Sequence, residues 1–417
     1  MTKPEQMHTF LLFLVITLFC TISYKVQATK NPFKSSENIE QTQTLKQQIK
    51  AYENAIETIE SQDGVYSDKL AQQLANLADI YQRQNKHDLA IDTFNRSLHL
   101  NRINDGLYSK AQIPLLKKII ASLKIQKKWK IIDQRYNYLY WLHNRNFSEN
   151  DETMVEVLLE IAGWNLTSYA RRYSKKPIEN LYNSHILYTK ALKISEEQYG
   201  QFNERNIPIL NNIMIANYFF ATADIMTSDL IEPNEYAATT NFQNLVATLK
   251  RKSFSSGKEN IQNEIQILEN QDEINHFQIS NVRLKLADWH LLFEKRQTAM
   301  RLYNDAYLYA SINDSQNIND LFNKPIALPN LPNLKTNTRE GITHEALASN
   351  TKFIHASFDV TRYGRAKNIQ VINSNMKEST RLRSLALRSL RFTKFRPKLV
   401  GGLPIKTEKM NLHIFPE

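Results

Sequence analysis

Apolar residues recur in the first three quarters of the chain with two superimposed periods. Leu74, Leu77 and Ala78 stand at spacings 0, 3 and 4, one face of a helix. The same triad returns 42 residues later as Leu116, Ile119 and Ile120, and again as Leu158, Ile161 and Ala162. A second series keeps the period, with Tyr52, Phe94 and Tyr136 at one position and Ala55, Ser97 and Leu139 at another. After ten extra residues the register resumes at Tyr188 and Ala191, then at Leu210, Ile213 and Met214. Each unit is therefore predicted to be a pair of helices, and a fixed period of this length signals stacked repeats.

Within a unit the order is apolar, apolar, small, aromatic, then small, aromatic, small. Leu74, Leu77, Ala78, Tyr81, Ala90, Phe94 and Ser97 make the best copy, and Leu286, Ala287, Ala299, Tyr303 and Ala306 repeat its internal spacings. Small residues let two helices approach, and aromatics fill the wedge between hairpins. The pattern resembles the tetratricopeptide repeat (TPR) in a longer, 42-residue form. The resemblance implies an α-solenoid over residues 40–310 whose groove receives a protein partner. Between Thr227 and Asn270 the pattern lapses through "KRKSFSSGKEN", and an irregular or inserted segment is expected there.

Pro325, Pro329 and Pro332, set among many Asn residues, predict a linker over 311–350. A different periodicity follows in 351–417. Phe358 and Val360 alternate with polar neighbours, as do Ile369 and Val371, and Gly364 supplies the turn of a β-hairpin. Leu382, Leu385, Ala386 and Leu390 then fall at helical spacing, with Arg381, Arg383, Arg388 and Arg391 largely off that stripe. A Pro-fixed loop and a Gly-Gly turn lead to a last strand with Met410, Leu412 and Ile414 on one face.

The order strand, strand, helix, strand resembles the C-terminal domain of the TonB family. The matching pieces are Asp359, Val360, Gly364, Val371, Ser374, Asn375, Phe395, Pro397, Gly402, Pro404, Ile405 and Phe415. The resemblance implies a small antiparallel sheet packed on a helix in the periplasm. It also implies engagement of a TonB-dependent outer-membrane transporter, or another envelope component, by adding a peptide strand to the sheet edge. That edge would be the last strand, with Lys406, Glu408, Met410, Leu412 and Ile414 as candidate partner-binding residues. The chain departs from an energy transducer in two respects: its hydrophobic run lacks a Ser and His pair, and no Pro-rich spacer follows it.

That run, Phe10 to Phe19, comes after Lys3 and His8 and before Val26 and Ala28, the small-residue pattern of a cleavage site. A secretory signal over 1–28 and a periplasmic location are expected; the alternative is an inner-membrane anchor serving an unconventional transducer. Cys20, the single cysteine, lies inside this segment, so a processed chain has no disulfide and no thiolate chemistry. Residues 351–417 carry 14 Lys and Arg against 4 Asp and Glu, nearly all of the chain's net +11. Export makes nucleic acid an unsuitable partner for this patch and leaves anionic cell-wall polymer or an acidic protein face, with Arg381, Arg388 and Arg391 as candidate contacts.

Signatures of catalysis are broken. "HEALA" at His344 has Ala348 where a zinc-protease helix needs its second His, and "SSGKEN" around Lys258 lacks the glycine spacing of a phosphate loop. His87, His99, His143 and His290 read as surface or packing residues. The sequence thus predicts a mainly α protein, a TPR-like α-solenoid of antiparallel helix pairs followed by a small α+β TonB-like domain. A non-enzymatic adaptor without cofactor or metal is the function expected of it.

Overall fold

A computed structural model describes residues 32–223, 236–313, 318–329, 338–339, 353–377 and 381–414; the predicted export segment lies outside them. The chain divides into two compact units, Met1–Gln126 and Lys127–Glu417.

In the first unit, α1 (Pro32–Asp63), α2 (Lys69–Arg83), α3 (His87–Asn104) and α4 (Gln112–Ile125) pack each on the next. The periodic positions form the core: Leu74, Leu77, Ala78, Phe94, Leu116, Ile119 and Ile120 are all buried. Ser97 is buried too, and its hydroxyl donates to the Ala71 carbonyl at 2.6 Å, so the small residue also ties α3 to α2. The α2–α3 turn closes on Asn85 in the left-handed region (φ 58), where Asn is tolerated better than most residues, with the Lys86 N–H donating to the Tyr81 carbonyl. Between hairpins, Gly64 and Gly106 take φ 87 and φ 93, and each carbonyl accepts from the serine N–H three residues on.

The second unit continues with α5 (Trp129–Asn146), α6 (Thr153–Arg171), α7 (Pro177–Tyr199), α8 (Asn206–Thr222), α9 (Tyr236–Glu269), α10 (His276–Leu292) and α11 (Arg296–Asn313). Tyr136, Leu139, Leu158, Ala162, Tyr188, Ala191, Leu210 and Met214 are buried, as the period requires.

Of the segment expected to be irregular or inserted, residues 227–235 lie outside the described residues and Tyr236–Glu269 is the regular helix α9, 34 residues long. Its small polar residues are packing residues. Ser253 is buried and donates to the Leu249 carbonyl at 2.8 Å. A Cβ on Gly257 would lie 2.1 Å from the Trp289 ring, whose indole N–H donates to the Phe254 carbonyl at 3.0 Å. Glycine there lets α9 lie against the largest side chain of α10. Farther along, Lys285 and Glu264 form a nearly buried pair at 2.7 Å, and Lys285 also donates to Asn211 at 2.8 Å, joining α8, α9 and α10.

The stretch expected to be a linker carries α12 (Ile318–Phe322), β1 (Ile326–Leu328) and β2 (Thr338–Arg339). Beyond it come β3 (Ile354–Val360), β4 (Ala366–Ser374), α13 (Arg381–Phe392), β5 (Lys394–Arg396), β6 (Lys398–Val400), β7 (Leu403–Ile405) and β8 (Thr407–Ile414). The main sheet has the antiparallel order β2-β8-β3-β4, while β1 pairs with β5 and β6 with β7. Ile354, Ala356, Phe358 and Val360 alternate inward and pack with Ala386, Leu390, Phe395, Leu412 and Ile414. The helical stripe differs from expectation: Leu385 is 47% exposed, and Leu387 packs inward beside Ala386 and Leu390.

Candidate functional site

Two surfaces and one internal seam stand out. The first surface is a cleft of about 400 Å³ in the first unit, between α1, α2 and α3. Leu74 and Leu77 from α2 and Ile56 from α1 make its apolar floor, and Leu89 of α3, 48% exposed, extends it to the rim. Carboxylates surround the floor. Glu53 accepts from the Tyr81 hydroxyl at 3.0 Å, and Glu60 is paired with Arg96. Glu57 and Asp92 also line the cleft and have no hydrogen bond or ion pair among the described residues. An apolar floor with two uncompensated carboxylates suits a segment that offers an apolar side chain beside Lys or Arg.

The second surface is the sheet. Leu412 and Ile414 are buried in its core and Met410 is half-buried against it, so these side chains face inward. Lys406, just before β8, is exposed and paired with Glu408 at 2.7 Å and Asp359 at 3.2 Å. The expectation that β8 is an edge strand needs correction, because β2 pairs with its end through Thr338↔Ile414 and Arg339↔His413. Strand addition uses main-chain groups, and among the described residues the outer side of β8 has no strand partner over 407–412. Lys409, at φ 53, interrupts that stretch, and its N–H is turned to Asp359. Arg381, Arg388 and Arg391 are all exposed on α13.

The seam joins the short strands beside this sheet, β1, β5 and β6, to the last helix pair. Leu284, Ala287 and Leu291 of α10 and Ala299, Tyr303, Ala306 and Ala310 of α11 share one core with Leu321, Phe322, Leu328 and Leu399. Arg396 of β5 reaches into it. Its Nε and terminal nitrogen donate to the two oxygens of Asp288 at 3.0 and 2.5 Å, and the Tyr303 hydroxyl donates to the same carboxylate at 2.7 Å. Burial and the Asp288 charge push the Tyr303 hydroxyl well above the ordinary phenol range. Burial works against the charge on Arg396, but Asp288 outweighs it and the guanidinium is held more firmly protonated.

At the rim of the seam, Glu294 receives Arg365 at 2.5 Å, Lys394 at 2.9 Å and Arg296 at 2.8 Å. Burial pushes the Glu294 carboxyl up, yet the hydrogen bonds from Lys394 and Arg296 and the nearby positive charges win and bring it down to about 2. Two glycines permit the close fit. A Cβ on Gly364 (φ 72) would lie 2.1 Å from the Phe395 carbonyl oxygen, and one on Gly402 (φ 78) would lie 2.4 Å from Asn304. Part of the basic excess of 351–417 is therefore spent inside the molecule, on Asp288 and Glu294. The sequence carried a signal for this. Asp288 is the one acidic residue in α10 and sits in its apolar run.

No protein-family model matches the chain, and no curated protein matches it. Among solved structures, BtubC from P. vanneervenii aligns at 13% identity over 65% of this chain and 92% of its own, with a TM-score of 0.38. A kinesin light chain of Podosopora anserina with nearly identical TPR-like repeats aligns at 9% identity over 59% of this chain and 98% of its own, with a TM-score of 0.40. The helix-pair architecture assigned here rests on the chain's own period and packing.

Proposed function

We propose that the protein is a non-enzymatic adaptor of the cell envelope that holds one protein in the acidic, apolar-floored cleft of its helical repeats and a second at the edge of its C-terminal sheet. The reading rests chiefly on the seam. Leu328 of β1 and Leu399 of β6 share the core of the last hairpin, and β5 sets Phe395 in the core of the sheet and Arg396 on Asp288, so the sheet is a fixed platform, with β8 open over 407–412 among the described residues. The TonB-like motifs and the export-type N-terminus add a periplasmic setting and an outer-membrane transporter as the second partner. Strand addition there is held by backbone hydrogen bonds.

Removing residues 351–417 would take Leu399 out of the core of the last hairpin and Arg396 off Asp288, so a point variant tests the edge more cleanly than a truncation. Asn411→Pro removes a main-chain N–H from β8 at a position with an exposed side chain. In pull-downs from detergent-solubilised envelopes, the full chain is expected to capture outer-membrane transporters and the Asn411→Pro chain to lose them while keeping its partner in the cleft. Retention of the same transporters by the variant, with its fold intact, rejects strand addition at β8.

A further inference from the structure

The outward face of α13 is not explained by the core it covers. Its inward face is Ala386, Leu387 and Leu390, packed under the sheet. On the opposite side Arg381, Leu385, Arg388 and Phe392 follow one another at spacings of 4, 3 and 4, one exposed stripe of alternating cation and apolar residue. Leu385 is 47% exposed and Phe392 67%. The helix contains no acidic residue, and none of Arg381, Arg388 and Arg391 is ion-paired among the described residues. Arg388 lies over the Phe392 ring at 5.8 Å, which keeps charge and apolar surface side by side. Ser384 and Ser389, both exposed, flank the stripe with small side chains.

We infer that this face of α13 docks on an anionic phospholipid surface, with the arginines on headgroup phosphates and Phe392 and Leu385 entering the headgroup–acyl boundary. A soluble polyanion would satisfy the arginines and leave Phe392 and Leu385 in water. A peptide would need a concavity to bury them, whereas the outer side of a single helix is a ridge. A bilayer supplies negative charge and an apolar layer together, and a helix with this composition lies in that interface. Several basic residues near such a surface add their attractions, which salt weakens.

The test is co-sedimentation of the full chain with vesicles of phosphatidylglycerol and phosphatidylethanolamine, against vesicles of phosphatidylcholine alone. The apolar run Phe10–Phe19 is common to every variant, so the reading is the difference between wild type and variant. Arg381→Gln with Arg388→Gln is expected to lower partitioning to the anionic vesicles by at least tenfold and to leave partitioning to neutral vesicles unchanged. Phe392→Ser is expected to lower it severalfold at unchanged charge. Both substitutions lie on an exposed face, and the circular dichroism melt should not move. Equal partitioning of wild type and both variants overturns the inference. So does loss with the arginine variant but not with Phe392→Ser, which marks a polyanion site, and so does capture of an acidic soluble protein that outcompetes the vesicles.

Discussion

Asp288 and Arg396 lie 108 positions apart in the chain and meet in a two-point ion pair whose side chains are 6% and 5% exposed. Removing one partner strands a buried charge, which costs about 3–5 kcal/mol. Arg396→Ala and Asp288→Ala should each lower stability by this order in denaturant titration. The triple variant Asp288→Leu, Arg396→Met and Tyr303→Phe should recover most of it, since it strands no charge and leaves no hydroxyl without its acceptor. Tyr303→Phe alone removes one hydrogen bond to the charged carboxylate, and a loss of about 1.5–3 kcal/mol is expected.

Glu294 gives the seam an acid limit. Its carboxyl titrates at about 2 in the folded protein, below the ordinary value of 4.5. A depressed carboxylate contributes stability that is full above the unfolded value and is lost as pH falls through the folded one. Melting temperature should therefore decline between pH 4.5 and 2, and Glu294→Gln should flatten part of that decline. An unchanged acid profile in the variant would place the acid sensitivity elsewhere.

A second titration belongs to the sheet. His355 and His413 are register partners on β3 and β8, with rings stacked 4.2 Å apart. Burial and then the charge of His355 lower the His413 pKa from 6.5. The folded protein binds this proton less readily than the unfolded chain, so this contribution is present above pH 6.5 and is lost as pH drops below it. His355→Gln should shallow the loss seen by thermal melts between pH 7 and 5, a window set by the ordinary histidine range.

Gly257→Ala tests α9 as a helix of the core. The added methyl would meet the Trp289 ring at 2.1 Å, and overpacking of this kind costs about 1–3 kcal/mol. Alanine is the better helix former, so an exposed helical site would instead gain about 1 kcal/mol. The sign of the change in a urea titration decides between them.

The cleft is tested by charge. Glu57→Lys with Asp92→Lys reverses the two unpaired carboxylates and should abolish capture of the cleft partner in pull-downs while leaving the melt within a degree or two. Unaltered capture would remove the acidic rim from the account.

The repeats were legible because Leu74, Leu77 and Phe94 of the first hairpin return 42 residues on as Leu116, Ile119 and Tyr136, residues of similar bulk. The loops between hairpins carry the same period. "DGVYS" at Asp63 and "DGLYS" at Asp105 are separated by 42 residues, and both form the same glycine-initiated loop. The α9 helix was not legible because its packing uses Gly257, which admits the Trp289 ring, and the buried Ser253, and glycine and serine also mark loops. Pro325 and Pro329 flank β1, so proline bounded a short strand in a stretch that reads as a linker. Of the candidate site residues, the exposed arginines were visible from helical phase. The partial cover of β8 was not, because β2 is two residues long and has no pattern of its own.

The last hairpin and the C-terminal sheet stand or fall together. Native-state hydrogen exchange of wild type and Arg396→Ala measures this directly. The account predicts that the single substitution in β5 lowers protection in α10 and α11 as well as in β3 and β8, and by the same free energy. Faster exchange in the sheet alone, with α10 and α11 protected as in wild type, would contradict it.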